Sequence, residues 1–194
     1  MRTKSKSKVV MFDVDGVLAD FIAGFTRLGH RLMPDLVTER STLETKVWRA
    51  EPGDERTWAE VMKSRTFWYD MPPLVSEEES LAVAAVAAEF DTYFVTARVG
   101  VEAKRQTERW LSDVIGVLSP TVVISPRKGE VASALFATHA IDDKAGNAII
   151  ISWMSRNTKS YILDRLHNQF DHAVVGGSVT RLYSVASYVD AVRA

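Results

Sequence analysis

The sequence predicts an α/β fold built on a parallel sheet covered on both faces. Three observations carry this. Short apolar runs recur along the chain, at Lys8–Phe12, Tyr93–Val95, Val122–Ile124, Ala140–Ile141 and Tyr161–Leu163. Stretches with helical character separate them, which is the alternation of a parallel sheet with crossover helices. The first four runs stop at polar residues, Asp13, Thr96, Ser125 and Asp142, and a parallel sheet gathers such strand ends along one edge.

Taken in order, Lys8–Phe12 reads as a buried strand. Leu18–Leu32 reads as a helix, with Phe21, Phe25, Leu28 and Leu32 at helical spacing. From about Pro34 to Pro73 the character changes: charge and tryptophan (Trp48, Trp58, Trp68) dominate and no strand is evident. Helices are expected there at Thr42–Arg49 and Glu55–Ser64. Pro72-Pro73 ends this stretch, because paired prolines cannot continue a helix. It reads as a small helical insertion. Ser76 with Glu79 then has the spacing of a capping box, opening a helix to about Phe90. A strand ending at Thr96, a helix over Glu102–Leu111, a strand at Val122–Ile124 and a short helix over Val131–Ala137 follow. The strand Ala140–Ile141, a helix over Gly146–Met154, the strand Tyr161–Leu163 and a closing helix over Val185–Val192 complete the chain.

The 194 residues are 46% hydrophobic, enough for one globular domain with an inserted subdomain. A formal net charge of −1 gives no global basic field and points away from nucleic-acid polymers. With no cysteine, disulfides, thiolate metal sites and a cysteine nucleophile are excluded. The basic stretch Arg2–Lys8 has too few apolar residues behind it for a secretory signal, which needs roughly seven to fifteen. No run approaches the ~20 apolar residues of a membrane span. A cytoplasmic location without membrane association is the expectation.

The chemistry centres on Asp13-Val14-Asp15-Gly16-Val17. Side chains alternate along a strand, so residues two apart point the same way. A strand ending at Asp13 therefore lets both carboxyl groups overhang its C-terminal edge. The same edge is expected to collect Thr96, Ala97 and Arg98 after the second strand. Arg127 and Lys128 come after the third, and Asp142 and Asp143 after the fourth. Carboxylates, a hydroxyl and a cation together fit a divalent-metal phosphoryl-transfer site. Carboxylates hold Mg²⁺, and metal and lysine neutralise phosphate charge so that an anionic nucleophile can approach. One carboxylate can attack phosphorus, and a second can protonate the leaving oxygen and then activate water.

In this order and at strand ends, Asp-x-Asp-Gly-Val, Thr, Lys and Asp-Asp resemble the motifs of the haloacid dehalogenase superfamily of phosphatases. The resemblance implies a Rossmann-like three-layer α/β/α core over residues 1–17 and 75–194, with a helical cap over 18–74. It implies Asp13 as nucleophile and Asp15 as general acid/base. Thr96, Ala97 through its backbone, and Lys128 would bind phosphate. Mg²⁺ would be held by Asp13, the Asp15 carbonyl and Asp142, with Asp143 as a further metal partner. Asp13–Phe21, the cap exit Phe67–Leu74, and Leu163–Asn168 with Arg181–Ser184 are similar to the 5′(3′)-deoxyribonucleotidases. That narrower likeness implies a nucleoside monophosphate substrate and suggests a homodimer. It also implies an aromatic enclosure of base and sugar, for which Phe21, Trp48 and Phe67 are candidates, with Arg98 as a cationic candidate. The sequence departs from the family's usual Thr-Ser at Ala97 and has Pro126 where an arginine is common.

Other readings exist. The same chemistry could serve another small phosphate, such as a sugar phosphate, or the scaffold could bind nucleotides without turnover. Asp20 reads as a helix-surface or cap-contact residue rather than a catalyst. His30, His139, His167 and His172 lack ligand spacing and read as structural or surface residues.

Overall fold

The computed structural model describes residues 8–33, 54–169 and 178–194. The expected helix Thr42–Arg49, and Trp48 with it, lie outside the described residues.

Six strands, β1 (Val9–Phe12), β2 (Asp91–Thr96), β3 (Thr121–Ile124), β4 (His139–Asp142), β5 (Lys159–Leu163) and β6 (Val179–Leu182), form one sheet in the order β3-β2-β1-β4-β5-β6. Every pairing is parallel. The helices are α1 (Phe21–Leu32), α2 (Asp54–Lys63), α3 (Glu77–Glu89), α4 (Ala103–Trp110), α5 (Lys128–Ala134), α6 (Ala145–Met154) and α7 (Val185–Arg193). The chain winds outward from β1 to β3 on one side, then returns to lay β4 against the other side of β1. This reversal opens a crevice at the C-terminal ends of β1 and β4, the place where open α/β sheets bind ligands.

Strand alternation divides the core. Val10 and Phe12 pack with Val83 and Val86 of α3, Trp110 of α4 and Val185, Tyr188 and Val192 of α7. Met11 points the other way, into a second cluster with Ala132 of α5 and Ile151 of α6. The sheet is therefore the middle of three layers. Phe12 stacks on Phe94 at 5.6 Å and meets the Tyr188 edge at 5.0 Å. Each such buried ring contributes roughly 1.5–3 kcal/mol, which outweighs what a four-residue strand gains from propensity alone.

Helix boundaries differ from expectation where local hydrogen bonds compete. Helix α1 starts at Phe21, not Leu18, because residues 14–19 close a loop of their own. The Leu18 and Ala19 N–H groups both donate to the Val14 carbonyl at 2.8 Å, and Gly16 N–H donates to Ala19. Asp20 then caps α1 by accepting from Ala23 N–H at 2.9 Å. Helix α5 starts at Lys128, three residues earlier than expected. Strand β6 was not expected: of Val179-Thr180-Arg181-Leu182, only two residues are apolar.

The segments leading into and out of α1 and α2 run side by side. Ala19 bridges to Pro73, Asp20 N–H donates to Pro72, and Leu74 N–H donates to Leu18, both at 2.8 Å. Phe67, Trp68 and Met71 are buried and join the same hydrophobic cluster as Phe12.

Candidate active site

Asp13 follows β1 directly, and its N–H donates to the Ile141 carbonyl of β4 at 3.0 Å, so pairing continues one residue past the strand and sets the carboxylate over the crevice. It is 5% exposed. Asp142 ends β4 and is fully buried. Its Oδ1 accepts from Lys144 N–H at 2.9 Å and from Asn147 Nδ2 at 3.0 Å, a clamp from the first turns of α6. Lys128, on the first turn of α5, brings Nζ to 2.6 Å from Asp13 Oδ2 and 2.6 Å from Asp142 Oδ2. Asp143 completes the group: Asp13, Asp142 and Asp143 each offer an oxygen within 4.8 Å of the others.

Three carboxyl groups gather around one ammonium in a buried crevice. Burial pushes the Asp13 carboxyl well above the ordinary carboxylate range; Lys128 pulls the other way, and Asp142 and Asp143 add to the rise. Burial acts against the Lys128 ammonium too, but Asp13 and Asp142 outweigh it and hold its pKa above the usual lysine value. Burial would also raise Asp143, yet the hydrogen bond and charge of His167, with Lys128 and Lys144, keep it below the ordinary value. Oδ1 of Asp143 is buried with no hydrogen-bond partner among the described residues. An excess of acidic groups over the one lysine, hard oxygen donors and an orphaned carboxylate oxygen all fit a divalent cation.

Asp15 is built into different company. Its Oδ2 accepts from Thr96 Oγ1 at 3.0 Å, and Arg98 binds it through Nε at 3.1 Å to each oxygen and Nη2 at 2.8 Å to Oδ1. The Asp15 carboxylate is therefore outside the cation-shaped group, and only its carbonyl is left as the metal contact that the resemblance implies. Thr96 is buried and directed at Asp15, while Ala97 is exposed.

The expected substrate residues separate. Arg98 has a side chain with no exposed surface, turned inward onto Asp15, so in this conformation it cannot touch a substrate. Phe67 is 6% exposed and meets the Trp68 ring edge-on at 4.8 Å, a core position. Phe21 is half-buried, between Trp58 at 5.8 Å and Trp68 at 5.9 Å in stacked geometry.

Sequence reasoning missed four supports. His167 Nε2 lies 3.1 Å from Asp143 Oδ2 and 3.1 Å from its carbonyl, and Asn168 donates to that carbonyl at 2.7 Å. Asn147 holds Asp142. Arg165 donates from Nε to the Gly16 carbonyl at 2.8 Å, fastening the turn after Asp15 to the end of β5. Asn147, five residues beyond Asp142 at a helix start, leaves a local signal; Arg165, His167 and Asn168 lie in the Leu163–Asn168 stretch noted above for its likeness, but their partners lie across the sheet edge.

No family model matches the chain. The mitochondrial 5′(3′)-deoxyribonucleotidase of Mus musculus is 28% identical over 104 residues, covering 50% of this chain and 47% of that protein. The chain thus spans about half the length of this relative. Among solved structures, a haloacid dehalogenase-like hydrolase from Burkholderia xenovorans LB400 superposes with a TM-score of 0.63 at 16% identity, over 95% of this chain and 98% of the other. A HAD-hydrolase from Bacillus subtilis, bound to magnesium, gives 0.60 at 14% identity, over 98% and 100%. The chain has the fold of the haloacid dehalogenase-like hydrolases, with a resemblance to a 5′(3′)-deoxyribonucleotidase over half its length.

Proposed function

We propose that the chain is a Mg²⁺-dependent phosphomonoesterase acting on (deoxy)ribonucleoside monophosphates. The observation that carries this is the buried cluster of Asp13, Asp142 and Asp143 bridged by Lys128, with Asp15 held beside it on the same strand end. Asp13, Asp142, Asp143 and the Asp15 carbonyl would hold the cation, which neutralises phosphate charge and keeps Asp13 ionised despite its burial. Asp13 attacks phosphorus, forming an aspartyl-phosphate as the ester P–O bond breaks, and the leaving oxygen takes the proton of the Asp15 carboxyl. Asp15, now a carboxylate, accepts a proton from the water that attacks the phosphorus of the intermediate. The bond to Asp13 breaks, phosphate leaves, and both aspartates return to their starting forms. Lys128 contributes fixed positive charge to the phosphate.

The nucleotide preference is supported by the curated relative and by the half-buried ring of Phe21, which the Trp58 and Trp68 stack places at the start of α1, directly after the Asp13–Ala19 loop. Residues 18–74 would form the cap that excludes bulk water from this edge.

Phosphate release measured across dUMP, dTMP, AMP, hexose phosphates and p-nitrophenyl phosphate tests the reading. Highest kcat/KM on a nucleoside monophosphate, lost in EDTA and restored by Mg²⁺, is the expected result. A preference for hexose phosphates would move the substrate class. No release from any ester, with nucleotide still bound, would make the protein a binding module.

A further inference from the structure

We propose that Arg98 is a positioning residue that fixes the Asp15 carboxylate and ties it to the segment leaving α2; this rests on the phosphatase reading above. The guanidinium is fully engaged inside the protein. Nε and Nη2 bind Asp15. Nη1 donates to Thr107 Oγ1 at 3.0 Å and to the Trp68 carbonyl at 3.4 Å. Thr107 is itself oriented to accept, because its own hydroxyl proton goes to the Ala103 carbonyl at 2.7 Å. The Trp68 and Trp110 rings flank the guanidinium at 4.9 and 5.8 Å. A planar fork with five donors, held between two indoles, leaves the carboxylate it binds little choice of rotamer.

The same place joins the insertion to the core. Trp68 N–H donates to Gln106 Oε1 at 2.9 Å and Trp68 Nε1 donates to the Val99 carbonyl at 2.8 Å. Gln106 Nε2 donates back to Ser64 at 3.0 Å, and Val101 N–H donates to Met62 at 3.1 Å. The loop after β2 is thus bonded to residues 62–68 along its length, and Arg98 is the residue of that loop that also reaches Asp15. A shift of Trp68 is transmitted to Asp15 through one rigid side chain.

Kinetics of R98M, R98K, D15N and the R98M/D15N double variant, with crystal structures of wild type and R98M, test this. R98M is expected to lower kcat about 10- to 100-fold, less than the roughly 10²–10⁴ that a general acid–base group contributes, because Asp15 is displaced rather than removed, while KM stays within about threefold. R98K is expected to recover part of the loss, and the double variant to be no slower than D15N, since both changes remove one function. In R98M crystals Asp15 leaves Thr96 while Asp13, Lys128 and Asp142 stay in place. If R98M does not fold, Thr107→Val, which removes one of the two Nη1 acceptors together with the hydroxyl's own bond to Ala103, is expected to give a smaller kcat loss that also disappears in the D15N background. Raised KM at unchanged kcat, losses that multiply with D15N, or an unmoved Asp15 overturns the proposal. Wild type that releases no phosphate from any ester overturns the phosphatase reading instead, and the position of Asp15 in R98M crystals still decides the role of Arg98.

Discussion

A Cβ on Gly16 would lie 2.1 Å from Oδ2 of Asp143. Gly16 also has φ +82°, a conformation that side chains rarely adopt. Asp143 cannot retreat easily, since His167 holds that same oxygen and Asn168 holds its carbonyl. The turn and the acidic cluster are therefore fitted to each other, and the absent side chain is what lets Asp143 sit against the Asp13–Gly16 turn. Gly16→Ala is expected to cost about 1–3 kcal/mol in urea unfolding, the cost of a strained backbone residue. It is also expected to weaken Mg²⁺ binding at least tenfold by calorimetry. Wild-type metal affinity in a folded Gly16→Ala protein would mean that Asp143 does not need its observed position.

Lys128 separates structure from chemistry. Removing its charge leaves Asp13 and Asp142 buried with no cation between them, and breaking such a pair from one side costs about 3–5 kcal/mol. Lys128→Met is expected to lower the Tm steeply in EDTA. A divalent ion, which binds the same carboxylates, is expected to raise the Tm of this variant by more than it raises that of wild type. Asp13→Asn is milder, because it removes one of the mutually repelling acids; it is expected to fold normally and to lose nearly all turnover. Thermal scans with and without Mg²⁺ read the first effect and phosphate release reads the second. Equal Mg²⁺ shifts in wild type and Lys128→Met would argue against a shared cation position.

What could be read in advance follows from range. Asp13, Thr96 and Asp142 could be placed because a strand end is a local property: an apolar run, then a polar residue. Lys128 could be named but not seated, since its helix opens on residues with no capping signal; Arg127 makes no side-chain cap. Arg98 looked like a substrate residue because its charge is visible in the sequence while its partner, Asp15, is 83 positions away. His167 lacked any ligand spacing for the same reason, since it serves Asp143 from beyond β5. Strand β6 was hidden because Arg181, which interrupts its apolar pattern, is spent on Asp164 at 2.7 Å and Asn168 at 2.7 Å.

Glu79 shows a local motif with a long-range second use. The capping box at Ser76 is present as expected, with Glu79 Oε2 accepting from Ser76 N–H at 3.2 Å. Its other oxygen accepts from Val185 N–H at 3.0 Å and Ala186 N–H at 3.3 Å, at the start of α7. One carboxylate thus serves two helix N-termini, each favourable for negative charge. Glu79→Ala is expected to cost about 1–3 kcal/mol, above the ~1 kcal/mol usual for one cap. Glu79→Gln, whose single carbonyl oxygen can serve one of the two N-termini but not both, should fall between. Urea titrations decide it, and a loss no larger than that of Ser76→Ala would show that the contact with α7 adds nothing.

Acid sensitivity should have a source remote from the site. His139 sits in β4, 4% exposed, with its ring stacked 6.3 Å from that of Tyr161. Thr138 Oγ1 spends its proton on the Val9 carbonyl, so His139 Nδ1 is the donor in the 2.9 Å contact with that hydroxyl, and Nε2 is left as a buried acceptor with no partner among the described residues. Burial, and then the charges of Lys159 and Lys8, lower the His139 pKa from 6.5 to about 4. The unfolded chain therefore takes up this proton as pH falls through about 6.5, while the folded protein stays neutral here down to about 4. Stability contributed by the neutral ring is complete above pH 6.5 and is lost progressively between 6.5 and 4, by on the order of 1–3 kcal/mol. His139→Phe keeps a ring against Tyr161 and removes the titration. Its unfolding free energy should fall less than that of wild type between pH 7 and pH 4.5, with the difference in that range. Parallel curves for the two proteins would exclude His139 as a source of the acid loss and leave it to the carboxylates.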